Sequence, residues 1–224
     1  MEIYIQIKMN ESLFLRNPEE TDLGKKIIQN AIILIHAHGL ECFNFKKLAQ
    51  HIGTTEAGIY RYFENKQLLL LFIVDWYWSW QEYRIAFHNK NISKPELKLK
   101  KAIHILSETV VDDISTPYIN EKLLYDIVMS EGAKTFLTKH IGEYNKAKFF
   151  KPYKDLCLHI ADLISDYSPN YKYARSLATT ILEMSHSLNF YKKNLPSLTD
   201  FSDTKKDDTL VAQFIEKMVF SAIQ

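Results

Sequence analysis

Between Phe45 and Phe63 the chain sets Ala49, Gly53 and Ile59 at the spacing of two short helices that cross steeply. A steep crossing needs a small side chain where the backbones approach, and Ala49 supplies it. The turn needs a residue that tolerates positive φ, which Gly53 provides four residues later. An aliphatic side chain of the second helix must then plug into the first, and Ile59 follows six residues after the glycine. Phe45, Leu48, Ala49 and Ile52 form the apolar stripe of the first helix, and Phe63 closes the small core. Asn44 and Thr55 stand where side-chain oxygens cap the two helices. The spacing predicts a helix-turn-helix over residues 44–63, although spacing alone also fits a helical hairpin packed inside a larger bundle.

The outward residues suit a duplex. Thr54, Thr55, Glu56 and Gly58 begin the second helix, the part of such a unit that reaches base edges in the major groove. Threonine pairs with several bases, and Glu56 is suited to accept from cytosine N4. Tyr60, Arg61, Tyr62 and Lys66 are placed on the outward face for phosphate oxygens, with Asn44, Lys46 and Lys47 at the start of the helix before. Residues 22–66 hold six Lys or Arg against four Asp or Glu, a net of +2 and a weak electrostatic footprint, so dimerisation would carry much of the affinity.

The rest of the chain reads as helix. Gly and Pro number only six each in 224 residues, while 46% are hydrophobic and 25% charged. A helix opens at Pro18–Thr21, carries Ile28, Ala31, Ile32 and Ile35, and stops at Gly39. Periodicity predicts further helices near 66–88, 94–112, 119–131, 133–140, 144–166, 171–192 and 207–222, with breaks at Gly132 and Gly142 among others. Residues 1–16 alone alternate like a strand, through Ile3, Ile5, Ile7 and Met9, and read as a small hairpin or a docking arm. The expected organisation is an arm over 1–20, a DNA-binding domain over 21–66 and a larger helical domain over 67–224.

The run Thr54-Thr55-Glu56-Ala57-Gly58-Ile59-Tyr60-Arg61-Tyr62-Phe63, followed by Asn65-Lys66, resembles the N-terminal signature of the tetracycline-repressor (TetR) family. The resemblance covers residues 22–70. It implies an all-α fold, phosphate contacts at Tyr60, Tyr62 and Lys66, and base reading over residues 54–58. Glu56 and Gly58 depart from the pattern, where a basic or neutral residue and Thr or Ser are common. The resemblance also implies a ligand-responsive regulator, most often a repressor, that binds double-stranded DNA as a homodimer.

The resemblance further implies that the second domain surrounds an effector cavity. Trp76, Trp80, Tyr83 and Phe87 share one face of the fourth helix, as a core stripe or as a cavity wall. Candidate lining residues are Trp76, Trp80, Tyr83, His104, Tyr125, Met129 and Phe150, and a largely apolar or aromatic small molecule would suit them. The helices at 171–192 and 207–222 carry apolar stripes (Leu177, Ile181, Met184, Leu188 and Tyr191, then Leu210, Val211, Phe214, Ile215, Met218 and Val219). The resemblance assigns such helices to a dimer, although the same stripes also close a monomer core.

No catalytic constellation, cofactor loop or metal spacing is evident. Glu183-Met-Ser-His186 has the spacing of a di-iron ligand pair, but such sites need two copies and two further glutamates. Two cysteines, Cys42 and Cys157, make no disulfide framework. No signal peptide and no stretch long enough to span a membrane is read, so the expected location is cytoplasmic.

Overall fold

The computed structural model of the chain describes residues 7–113, 115–201 and 209–223. Among them the regular elements are all helical: α1 (Asp22–Cys42), α2 (Phe45–Ile52), α3 (Glu56–Tyr60), α4 (Lys66–Asn89), α5 (Pro95–Ser107), α6 (Glu121–Glu131), α7 (Ala133–Phe136), α8 (Ile141–Lys146), α9 (Lys151–Tyr167), α10 (Ala174–Asn194) and α11 (Leu210–Ala222). Single 3-10 turns occupy Glu11–Leu13, Pro18–Glu20 and Pro196–Leu198.

The chain divides into two compact units, an N-terminal one of Met1–Trp78 with Val110–Lys151 and a C-terminal one of Ser79–Thr109 with Pro152–Gln224. In the N-terminal unit, α1 buries Ile27, Ile28, Ala31, Ile32 and Ile35, and α2 and α3 add Leu48, Ala49 and Ile59. Farther along, α6 packs on α1. There Glu131 Oε1 accepts from Leu40 N at 3.1 Å, and His36 Nε2 lies 3.2 Å from Asp126 Oδ2. In the C-terminal unit, α5, α10 and α11 pack together, with Leu99, Ile103, Ile181, Val211, Ile215 and Val219 inside.

Residues 7–16 do not form the hairpin. Among the described residues no strand occurs, while Ile3 and Ile5 lie outside them. The segment docks as an arm instead: Leu13 is fully buried, Asn10 Nδ2 donates to Ala147 O at 2.9 Å, and Leu15 N to Tyr62 O at 2.8 Å. Its second 3-10 turn lies so close to α1 that a Cβ on Gly24 would stand 2.2 Å from Pro18 O, so only glycine fits.

Several helices end sooner than periodicity predicts. The third stops at Tyr60 rather than near Phe63, and α5 stops at Ser107, before Thr109-Val110-Val111, a β-branched run that favours extended backbone. The expected helix over 144–166 is broken at Lys148, whose φ of 61° places it in the left-handed region. Phe149 N then bonds Tyr144 O at 3.0 Å in a Schellman closure and Phe149 turns inward. Gly142 is no break; it lies inside α8.

Candidate nucleic-acid interface

The turn between α2 and α3 is built as its residues dictate. Asn44 Oδ1 accepts from Lys47 N at 2.9 Å and caps α2. Gly53 ends that helix at φ 70°, which a residue without Cβ adopts at no steric cost, and Thr54 N returns to Ala49 O at 2.9 Å. Thr55 Oγ1 accepts from Gly58 N at 3.1 Å and opens α3. Ile59 is fully buried against the first helix, as the spacing predicts.

The exposed face that results carries Asn44, Lys46, Thr55, Glu56, Tyr60 and Arg61, with Thr54 and Gly58 half-buried beside them. Tyr60 is 47% exposed, and its ring meets Phe45 edge-on at 5.0 Å between centroids. That contact fixes the ring and leaves the hydroxyl free to bond outward.

Two residues expected on this face are turned in. Tyr62 is only 3% exposed; its hydroxyl shares a hydrogen bond of 2.8 Å with Thr21 Oγ1, and the Arg16 guanidinium stands over its ring. Lys66 Nζ donates to Leu40 O at 2.8 Å and Phe43 O at 3.1 Å, with Glu41 O at 3.5 Å. Its three donors thus cap the carbonyl end of α1, where a cation is favoured by the helix dipole. Lys47 does the same through Cys42 O at 2.7 Å. Both lysines therefore anchor α1 in this conformation, and of the exposed Lys46, Lys47 and Arg61 among residues 44–66 only Lys47 is so engaged. The reach of Lys66 to carbonyls 23 to 26 residues upstream is a tertiary property that helical periodicity does not contain.

The candidate effector residues are spread over both units. Trp76, Tyr125, Met129 and Phe150 belong to the N-terminal unit, where Trp76 is buried and the Tyr125 ring lies 6.3 Å from Tyr77. Trp80, Tyr83 and His104 belong to the C-terminal unit. Trp80 is buried beneath the Arg84 guanidinium at 4.7 Å, whereas Tyr83 and Phe87 stack on each other and are exposed. The aromatic stripe of α4 therefore leaves the core after Trp80. His104 faces Glu216, with Nε2 3.4 Å from Oε2.

Periodicity gave no sign of the buried acids: Glu19, Asp75, Glu121 and Glu131 all lie inside the N-terminal unit. Glu19 accepts from the Tyr118 hydroxyl, and burial holds its carboxyl above the usual range. Burial likewise pushes Glu121 up to about 7, against the Thr116 hydroxyl and Asp113 N that bond it. Asp75 was visible as the single charge interrupting the apolar run that starts at Leu68.

Residues 27–72 match the family model described as bacterial regulatory proteins, tetR family. Over these residues the chain is similar to the N-terminal part of TetR-family regulators. Solved structures share its fold. One is AibR in complex with isovaleryl coenzyme A and operator DNA, 20% identical, covering 88% of this chain and 98% of that one at a TM-score of 0.62. A second is the fatty acid degradation regulator FadR from Bacillus halodurans, 17% identical over 89% and 98% of the two chains, TM-score 0.61. A third is the ketosteroid transcriptional regulator KstR2 of Mycobacterium tuberculosis, 12% identical over 99% and 98%, TM-score 0.53. No characterised protein matches by sequence. Among the described residues no helix is long and apolar enough to cross a membrane, and no group of His, Cys, Asp and Glu has the arrangement of a metal site.

Proposed function

We propose that the chain is a transcriptional regulator that binds a near-palindromic DNA operator as a homodimer and releases it, as a repressor does, when a small molecule binds its helical domain. The observation that carries this reading is the α2–turn–α3 unit, with Ile59 buried and Thr55, Glu56, Tyr60, Lys46 and Arg61 left exposed on one side. Thr54, Thr55, Glu56 and Gly58 then read base edges. Lys46, Tyr60 and Arg61 contact phosphates, while Tyr62 and Lys66 hold the unit in register. The solved structure of AibR with both an acyl coenzyme A and operator DNA supports a two-ligand mechanism of this kind.

Three exposed cations, one of them engaged with the end of α1, are a small electrostatic footprint, so one protomer binds weakly and a two-fold pair multiplies the contacts. Half-sites then lie about one helical turn apart, roughly 34–36 Å. Effector binding works by population shift, provided that the effector prefers a conformer whose recognition helices no longer match that spacing. The exposed Phe214 on α11, beside the open face of α10 formed by Ser176, Thr179, Thr180, Glu183, Met184 and Ser187, supports pairing through these helices. The other reading, a helical ligand-binding protein whose N-terminal unit no longer reads DNA, has no observation in its favour. The matched family model and the FadR and KstR2 structures are named for regulators, and no residue is assigned a catalytic role. Sedimentation equilibrium tests the assembly: a dimer alone, and an even number of protomers on a bound duplex, are expected. A monomer that leaves duplex DNA unbound at about 0.1 M salt would refute the proposal.

A further inference from the structure

From Leu69 to Trp78, ten consecutive residues of α4 are buried, so the helix is enclosed on every side. Only one of the ten is charged, Asp75, and it is 2% exposed. The N-terminal unit buries four carboxylates and, among the described residues, no cationic side chain. Three of the four acids are matched within the chain. Glu131 takes Leu40 N and pairs with Lys134 Nζ at 2.7 Å, Glu121 takes Thr116 and Asp113, and Glu19 takes Tyr118. Asp75 is not: its Oδ2 is occluded from water and has no hydrogen-bond partner. Leaving a carboxyl so is costly, and nothing in its own helix needs it there. Leu71, Phe72 and Trp78, each one turn or less from Asp75 on α4, make the surface around it apolar and aromatic.

We propose that Asp75 is the anchor for a cationic effector, an ammonium group carried on an apolar or aromatic body, bound within the N-terminal unit. This deepens the effector-responsive reading above and rests on it. The ammonium supplies the buried positive charge that Asp75 lacks, and the body lies against aromatic rings that also favour a cation over their faces. Without that partner the carboxyl is held neutral, since burial pushes its pKa up to about 8. A neutral or anionic molecule of the same shape leaves the carboxyl unmatched and gains only apolar contact.

The test is a titration of the full chain, without DNA, followed by tryptophan emission and by melting temperature. The only tryptophans are Trp76, Trp78 and Trp80, and the first two flank Asp75 closely. The probes are phenethylamine and benzyltrimethylammonium, with 3-phenylpropionate as the anionic counterpart. Both cations are expected to shift emission saturably and to raise the melting temperature, the carboxylate to do neither, and Asp75→Asn to weaken the cations by about tenfold or more. Should Asp75→Asn fail to fold, Asp75→Leu, which replaces the carboxyl with an apolar group, is expected to keep its helical circular dichroism and lose the cation response. Equal cation binding by wild type and variant, equal binding of 3-phenylpropionate, or no saturation by either cation would each overturn the assignment. DNA selection is scored separately, so a failure here leaves the operator-binding reading standing, and the reverse holds as well.

Discussion

The two compact units bury ionisable groups of opposite kind. The N-terminal unit encloses Glu19, Asp75, Glu121 and Glu131, whereas the C-terminal unit encloses His186 and Lys192 beside Ser107 and Ser185. Burial acts on Asp75, Glu121 and His186 in the same physical way, against the charged form, and so moves the acids and the imidazole in opposite directions. Asp75 and Glu121 rise to about 8 and about 7, while His186 falls to about 3. In the C-terminal unit Ser107 Oγ donates to Ser185 Oγ at 3.3 Å and Asn189 Nδ2 to Ser107 O at 2.9 Å, while the neutral amide oxygen of Asn89 is buried without a hydrogen-bond partner. At Asp75 the N-terminal unit holds one group that nothing in the chain answers. An unanswered amide oxygen costs less than an unanswered carboxyl, so Asp75 is the buried group with the most to gain from a partner that arrives later.

The sharpest way to break this contrast is Asp75→Leu. Exchanging an unpaired buried carboxyl for an apolar side chain should stabilise the free protein by about 1–4 kcal/mol, read from denaturant unfolding. A loss of stability instead would mean that Asp75 is already matched. Lys66→Ala examines the opposite case, a cation whose donors are all engaged. It should cost about 1.5–3 kcal/mol by freeing the carbonyls of Leu40 and Phe43, and should leave the salt slope of DNA binding unchanged. Lys46→Ala should lower that slope at unchanged stability.

The pH dependence carries the sign of the comparison. A buried acid whose folded pKa is raised gives stability that is complete below its unfolded value and lost as pH rises through the folded one. The melting temperature should therefore fall between pH 6.5 and 8, and Asp75→Asn should flatten that limb. His186, lowered from 6.5, gives stability present above that value and lost as pH falls toward 3. Measured as a difference from wild type, His186→Gln should be more favourable at acid pH than at neutral pH. If both variants shift the same limb, the two units do not differ as described. The smallest effect expected is at Lys148, where Lys148→Gly should stabilise by about 1 kcal/mol, because glycine takes the left-handed conformation without strain.

Lys148 also shows why part of the fold could be read from the sequence and part could not. Gly53, Asn44 and Thr55 announce their turn and caps because the residue types are those the local backbone requires. At Lys148 the same left-handed closure is made by a residue type that signals nothing, so the helix expected over 144–166 conceals a break. The arm is similar: its alternation suggested a strand, but Leu13 turns into the core through a 3-10 turn that tertiary contact selects. In the interface, exposure of Thr55, Glu56 and Tyr60 follows from helical spacing, whereas the inward turn of Tyr62 depends on Thr21, 41 residues away. The buried acids were beyond periodicity altogether, since a pattern of apolar positions is silent about which polar side chains the fold encloses.

The central claim is that the α2–α3 unit reads DNA as part of a pair. The most direct test is to incubate the purified chain with a random duplex pool at about 0.1 M salt, recover the bound fraction and sequence it. The account predicts enrichment of a near-palindrome with half-sites about one helical turn apart. An unenriched pool, both with and without added cell extract, would contradict it.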